Sequence, residues 1–313
     1  MSVHEERAHL PVGLIVVTHN PEVPFLRAIL IDLSKVLEAI IVVDNGSDGV
    51  LVDELRELIG TITDATLVAH ENLGIGHAQN EGINILSACG IEFALFLDQD
   101  TSMTSKALMG LWDGRQLLTM GGARIAAVGP TLGEHHKLLD AHKMKEERYI
   151  ASSGSLVGLD TLREVGMFRS EYFIDHVDKE WGLRARQRGY ISFRALSIEV
   201  PHRFGDNERK WLGKPRRYHT SPLRNYYLVR NEILSWRDLS YSVGEVFRSL
   251  TILFKWCFVT LIIAPSAIER LRSMALGAAH GILGRAGASS SLCFAHASIP
   301  FPRSPAGSTG GPL

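Results

Sequence analysis

An α/β fold built on a mostly parallel sheet is what this sequence predicts, and three observations carry the expectation. Short apolar runs alternate with helical patterns, the signature of βαβ units. Those runs end in polar or acidic residues, where a parallel sheet gathers its ligands. Hydrophobic residues make up 45% and charged residues 21% of the 313-residue chain, enough for one large domain with an appendage or for two small ones.

The elements follow in order. "GLIVVTHN" (13–20) reads as a strand, "PFLRAILIDLSKVLE" (24–38) as a helix, and "AIIVVDNGSDG" (39–49) as a second strand ending in a turn cluster. "ATLVAHENLG" (65–74) is a third strand. "GIGHAQNEGINILSACG" (74–90) is helical, with Ile75, Ala78, Gly82, Leu86 and Cys89 near one face. "EFALFLDQD" (92–100) is a strand whose end brings out Asp98 and Asp100 together. Two carboxylates so close repel unless a cation lies between them or one holds a proton. A solvated turn and a divalent-cation site both account for them.

Bulk properties narrow the function class. Formal net charge is −1, so no global field marks nucleic acid as a partner. Cys89, Cys257 and Cys293 are scattered, without metal-ligand spacing or a disulfide framework. The N-terminus is polar and acidic, unlike a secretory signal. Residues 201–237 hold nine Lys/Arg against three acids, which suits an anionic ligand, an anionic membrane surface or a solvated basic face. Beyond Trp236 the chain turns apolar. Residues 249–264 fall short of the about 20 that a membrane span needs. They read as an amphipathic, membrane-surface helix or as a buried core helix. The end is rich in Ser, Gly, Pro and Ala and is expected to be disordered.

"VVTHN", "VVDNGSDG", "NLGIGHAQNEGI", "FLDQD" and "HVDKEWGLRARQRGY" occur in the order, and near the spacing, of family 2 glycosyltransferases with the GT-A fold, which this chain resembles. "DQD", "FIDHVDKEW" and "SPLRNYYLVRN" are most similar to bacterial rhamnosyltransferases that use dTDP-L-rhamnose. The resemblance covers about residues 12–237 and implies a GT-A domain over 1–237, with a nucleotide-sugar half near 10–100 and an acceptor half near 101–237. A helical, membrane-associated extension (238–287) and a tail (288–313) complete the expected organisation.

By that resemblance Asp44 recognises the pyrimidine base, with Thr18, Asn20 and Asn45 lining the same pocket. An Asx turn opening "DNGSDG" is the other reading of Asp44. Gly74 and Gly76 permit close backbone approach beneath the nucleotide, and Asn80 stabilises local structure. Asp98 and Asp100 hold Mn2+ or Mg2+ against the diphosphate, with Asp98 nearer the ribose. His202 is a further metal ligand or a structural histidine. Asp178 falls on the family's catalytic carboxylate and Glu180 on a second common acid. Val177 replaces the usual Glu before the base, which leaves Asp175 as the alternative to Asp178. Trp181 is a sugar-stacking face or core. Arg224 and Tyr227 suit diphosphate oxygens and sugar faces, and Gly154 leaves space for the sugar.

The implied activity is inverting transfer of L-rhamnose from dTDP-L-rhamnose to a hydroxyl of a cell-surface glycan or a lipid-linked precursor. It would take place in the cytoplasm at the inner membrane surface. A UDP-sugar donor (galactofuranose, glucose or GlcNAc) on the same machinery is one rival. A non-catalytic nucleotide-sugar-binding protein is the other. A homo-oligomer is compatible with the sequence.

Overall fold

The computed structural model describes residues 9–133, 143–202 and 206–289. Its first half runs β1 (Leu10–Thr18), α1 (Val23–Leu33), β2 (Leu37–Asn45), α2 (Gly49–Ile59), β3 (Ala65–His70), α3 (Ile75–Ala88) and β4 (Phe93–Asp98). These four strands pair in parallel in the order β3-β2-β1-β4. β1, β2 and β4 are buried on both faces, which is why they read as unbroken apolar runs, whereas β3 at the edge is partly exposed.

The second half continues with α4 (Ser105–Met120), β5 (Ile125–Leu132), β6 (Met144–Glu147), β7 (Leu156–Gly158), α5 (Leu159–Val165), α6 (Val177–Gln187) and β8 (Ile191–Val200). It extends the sheet as β4-β7-β5-β8-β6. β7 pairs antiparallel with both β4 and β5, and β6 forms an antiparallel edge. The sheet is thus mixed in its second half and parallel in its first.

Core packing corrects one helical face. Ala78, Gly82 and Leu86 of α3 are buried as expected, but Cys89 is exposed and Ile83 takes its place inside. Cys89 lies past the end of α3 as its C-cap, whereas the helix itself rests directly on β1, where a Cβ on Gly82 would lie 2.6 Å from the Ile15 side chain.

Beyond the sheet come a basic hairpin, β9 (Asp206–Trp211) and β10 (Lys214–His219), and three helices, α7 (Pro222–Asp238), α8 (Val243–Ile263) and α9 (Ala267–Ile282). α7 packs intimately on α9, where Cβ atoms on Gly277 and Gly281 would meet the α7 backbone at 2.5 and 3.0 Å. α8 is longer than the apolar run alone suggests. Ser242 and Glu245 form a reciprocal capping box that starts the helix six residues before Ser249. Its 21 residues are long and apolar enough to cross a membrane. Phe247, Leu250, Phe254, Phe258 and Ile262 form an exposed apolar stripe along it. Of the tail expected to be disordered, residues 290–313 lie outside the described residues, whereas the Ser289 amide donates to the Tyr227 hydroxyl at 3.0 Å.

Candidate active site

In the order β3-β2-β1-β4 the chain direction of assembly reverses at β1, so β1 and β4 splay their connections apart at their carboxyl ends. A cleft of about 400 Å³ opens there. Thr18, Asn45, Asp98, Asp100, Asp175, Asp178, His202, Arg224 and Tyr227 all line it. The middle residue of "DQD", which the sequence reading passed over, ties the two strand ends together. Gln99 accepts from the His19 amide at 2.7 Å and donates to the His19 carbonyl at 3.0 Å. A side chain that satisfies both backbone groups of one residue fixes the separation of the β1 and β4 ends at the cleft.

Asp98, Asp100 and His202 each bring a ligand atom to one point, with all three atoms within 4.8 Å of one another. His202 comes from the end of β8 and is carried to the cluster by an isolated antiparallel bridge to Thr101. The Thr101 hydroxyl is 2.6 Å from His202 Nδ1 and 2.7 Å from the Ser153 hydroxyl. Two carboxylates and an imidazole fit a divalent cation that keeps open positions for a ligand. Burial, then the Asp100 charge, pushes the Asp98 carboxyl up to about 6, against the opposing pull of His202. A bound cation relieves that repulsion.

The raised pKa has a stability consequence. Between the unfolded value near 3.8 and about 6 the folded chain binds more protons, so metal-free protein loses stability as pH rises through that window. At pH 7 we expect Asp98→Asn to stabilise the metal-free protein by about 2–3 kcal/mol, with no such gain at pH 4. Urea titrations at the two pH values in EDTA check this. Equal effects at both would show that Asp98 carries no such strain.

Across the cleft, Asp178 sits in the first turn of α6. Its carboxylate accepts from the Lys179 amide at 2.7 Å and the Ser152 amide at 3.3 Å. Burial raises its pKa above the ordinary carboxylate value, partly offset by those two amides. Asp175 is different. Burial pushes it up, but Arg224 and His219 outweigh that and hold it below the ordinary range. Arg224 grips it with two hydrogen bonds, at 2.5 and 3.3 Å. Of the two candidates, Asp178 is the one whose pKa is raised, and Asp175 is the one paired with Arg224.

The loop that carries Asp175 and leads into α6 is strained. Phe173 has φ 65° and ψ −66°, and the Ile174 amide donates to the Tyr172 carbonyl at 2.8 Å, a γ-turn of the rare hand. Asp175 (φ 63°) and His176 (φ 65°) are also left-handed. The surroundings hold this shape. Asn231, fully buried on α7, donates to the carbonyls of Tyr172, Ile174 and Asp175 at 2.8–2.9 Å. The Ile75 amide donates to the Phe173 carbonyl at 2.7 Å, and Gly74 (φ +92°) leaves no room for a Cβ against it. The β3–α3 turn and the acid-bearing loop are therefore one docked unit. Tyr227 stacks on Phe173 with ring centroids 5.1 Å apart.

Five expected site residues lie off the cleft lining. Asp44 is buried with its carboxylate already accepting from the Thr18 hydroxyl (2.9 Å), the Ser47 amide (2.9 Å) and the Ser47 hydroxyl, so the Asx-turn reading describes its contacts. Asn20 caps the same turn, accepting from the Asp48 amide at 2.9 Å. Gly154 (φ +77°) packs on Pro130 and Met103. Glu180 is fully buried and chelated by Arg184 at 2.8 and 3.0 Å and Arg169 at 3.2 Å, which makes it a packing ion pair rather than a ligand contact. Trp181 is core: its ring packs on Phe168 and its indole donates to the Gly166 carbonyl at 2.9 Å. Asn80 does stabilise local structure, bonded to both the amide and the carbonyl of Phe168.

No protein-family profile matches the chain. Among characterised proteins, it is 30% identical over 298 residues to the dTDP-rhamnosyl transferase RfbF of Shigella flexneri, covering 87% of this chain and 96% of that one. Among solved structures, it is similar to S. aureus TarS (residues 1–349), with TM-score 0.56, 14% identity and 87% of this chain and 81% of that one covered. It is also similar to the mannosyltransferase PcManGT of Pyrobaculum calidifontis, solved with GDP-Man and Mn2+, with TM-score 0.51, 16% identity and coverage of 89% and 82%. At such identities the two structures speak for the fold. The sequence relative, matched over nearly its whole length, speaks for the family, and the chain belongs to the family 2 glycosyltransferases with the GT-A fold.

Proposed function

We propose that this glycosyltransferase moves L-rhamnose from dTDP-L-rhamnose to a hydroxyl of a cell-surface polysaccharide or its lipid-linked precursor, with inversion at the sugar carbon. The observation that carries the reading is that Asp178 and the Asp98–Asp100–His202 cluster line one cleft. The name of the Shigella relative supports the donor. In this reading the acceptor hydroxyl loses its proton to the Asp178 carboxylate as its oxygen forms the new bond to the sugar carbon. The bond from that carbon to the diphosphate breaks, and dTDP departs from the opposite face. A divalent cation, Mn2+ or Mg2+, held by Asp98, Asp100 and His202 would neutralise charge on the leaving diphosphate. Arg224, oriented by Asp175, faces the same space from α7, and Tyr227 and Phe173 offer a flat aromatic wall for a sugar ring. The exposed apolar stripe of α8 supports attachment to the inner face of the membrane, where a lipid-linked acceptor is found.

Hydrolysis of a nucleotide-sugar panel by the purified protein, with Mn2+ or Mg2+ and then with EDTA, tests this. We expect slow, metal-dependent release of dTDP from dTDP-L-rhamnose. Release of UDP from a UDP-sugar instead would keep the mechanism and overturn the donor. Binding with no turnover, even with an acceptor-containing membrane extract, would favour a binding protein.

A further inference from the structure

We propose a second metal site, of a different chemical kind, at His70, His77 and Glu81. It would take a borderline transition-metal dication, Zn2+ above all, and clip the β3–α3 turn to its helix. The inference is independent of the donor sugar.

His70 is the last residue of β3, and His77 and Glu81 lie one turn apart on the same face of α3. Each offers a ligand atom, and the three atoms lie within 4.8 Å of one another. The closest pair, His70 Nε2 and Glu81 Oε2, is 2.9 Å apart. These spacings bracket the roughly 3.3 Å edge of a tetrahedron with bonds of about 2.0–2.1 Å to Zn2+.

Two further observations point to a ligand. First, the His70 Nδ1 atom is 2.6 Å from the Glu71 carbonyl, which can only accept, so Nδ1 carries the proton. That contact orients the ring and leaves the Nε2 lone pair of a neutral imidazole aimed at the cluster, as metal-bound histidines are held. Second, Nε2 and the facing Glu81 Oε2 are buried yet out of hydrogen-bond alignment with each other. A cation bound to both would satisfy each of these two unpartnered atoms. The His77 ring stands edge-on to His70, with centroids 5.5 Å apart, and closes the third side.

The donor set separates this site from the cleft. Two imidazoles and one carboxylate favour Zn2+ with one open position, whereas the Asp98–Asp100 pair favours a hard, oxygen-seeking cation. The position gives it a consequence. Asn72 and Gly74, between the first ligand and the other two, line the cleft, and Gly74 abuts Phe173 of the acid-bearing loop.

The test uses the full-length protein stripped with EDTA, in wild-type form and as the Asp98→Asn/Asp100→Asn double variant. Zn2+ titration calorimetry and Co2+ absorption spectroscopy are the readouts. We expect the double variant to keep one Zn2+ per chain and to give an intense tetrahedral Co2+ band. We also expect its melting temperature to rise by about 5 °C at saturating Zn2+. Adding His77→Ala, or separately Glu81→Gln, should abolish all three signals without loss of helical circular dichroism. If the double variant takes no Zn2+, or if neither further substitution changes the stoichiometry, the cluster is a His70–Glu81 ion pair and the proposal is wrong.

Discussion

Asp178→Asn should lower kcat about 1,000-fold while leaving donor affinity within about threefold, because positioned proton removal contributes roughly 10²–10⁴ to rate and the side chain binds no more than backbone amides here. The amide is close to isosteric. Its oxygen can keep the short bond from Lys179, and its NH2 group falls on the longer, weaker contact to Ser152. What disappears is the proton acceptor. The pH profile gives a second check. In the wild type, kcat/KM should fall as pH drops through the Asp178 pKa, which burial places above the ordinary carboxylate value. The variant should lack that limb. Asp175→Asn makes the control, since it releases Arg224 and should raise the donor KM more than it lowers kcat. Calorimetric donor binding and coupled dTDP release separate the two. A residual Asp178→Asn rate within tenfold of wild type would remove Asp178 from the role of base.

The parallel half of the fold and the acids at its edge were legible because they follow local rules. Strands buried on both faces give uninterrupted apolar runs, and a parallel sheet places their polar ends on one side. That logic brings out Asp98 and Asp100, and the family resemblance adds Thr18 and Asn45. The mixed half was not, because β7 is three residues long and β6 is an edge of four, too short to show a period. Nor does a motif show direction. "VDKEW" contains a lysine and three candidate ligands in five residues, but on a helix the residues two and three beyond Asp178 turn inward. Glu180 and Trp181 went to the core and left Asp178 alone at the cleft. Asn231 and Gln99 were invisible for another reason. Their partners are backbone groups 56 to 80 residues away, and a polar side chain spent on a distant carbonyl leaves no local pattern.

Asn231→Asp should be the most damaging single change outside the cleft. The Asn231 side chain is fully buried and donates to three carbonyls of the strained loop. Aspartate offers an acceptor where all three carbonyls need a donor, and Arg230, which donates to the Asn231 oxygen at 2.9 Å, offsets its buried charge only in part, so a loss of about 2–4 kcal/mol is expected. Asn231→Ala removes the donors without adding charge and should cost about 2–3 kcal/mol. The catalytic effect should exceed what partial unfolding explains. The unusual backbone at Phe173, Asp175 and His176 costs about 1–3 kcal/mol per residue and persists only while its surroundings impose it. Once the three carbonyls are released, the loop relaxes and Asp178, which follows it directly, loses its aim. For Asn231→Ala, held below its melting temperature and folded by circular dichroism, kcat should drop about 10- to 100-fold. The acid limb of the pH profile should stay in place, since the base itself is intact. Urea unfolding gives the stability loss and steady-state kinetics at low temperature give the rate. A folded Asn231→Ala protein with wild-type kcat would mean that the loop keeps its shape unaided, and that the strain plays no part in presenting the base.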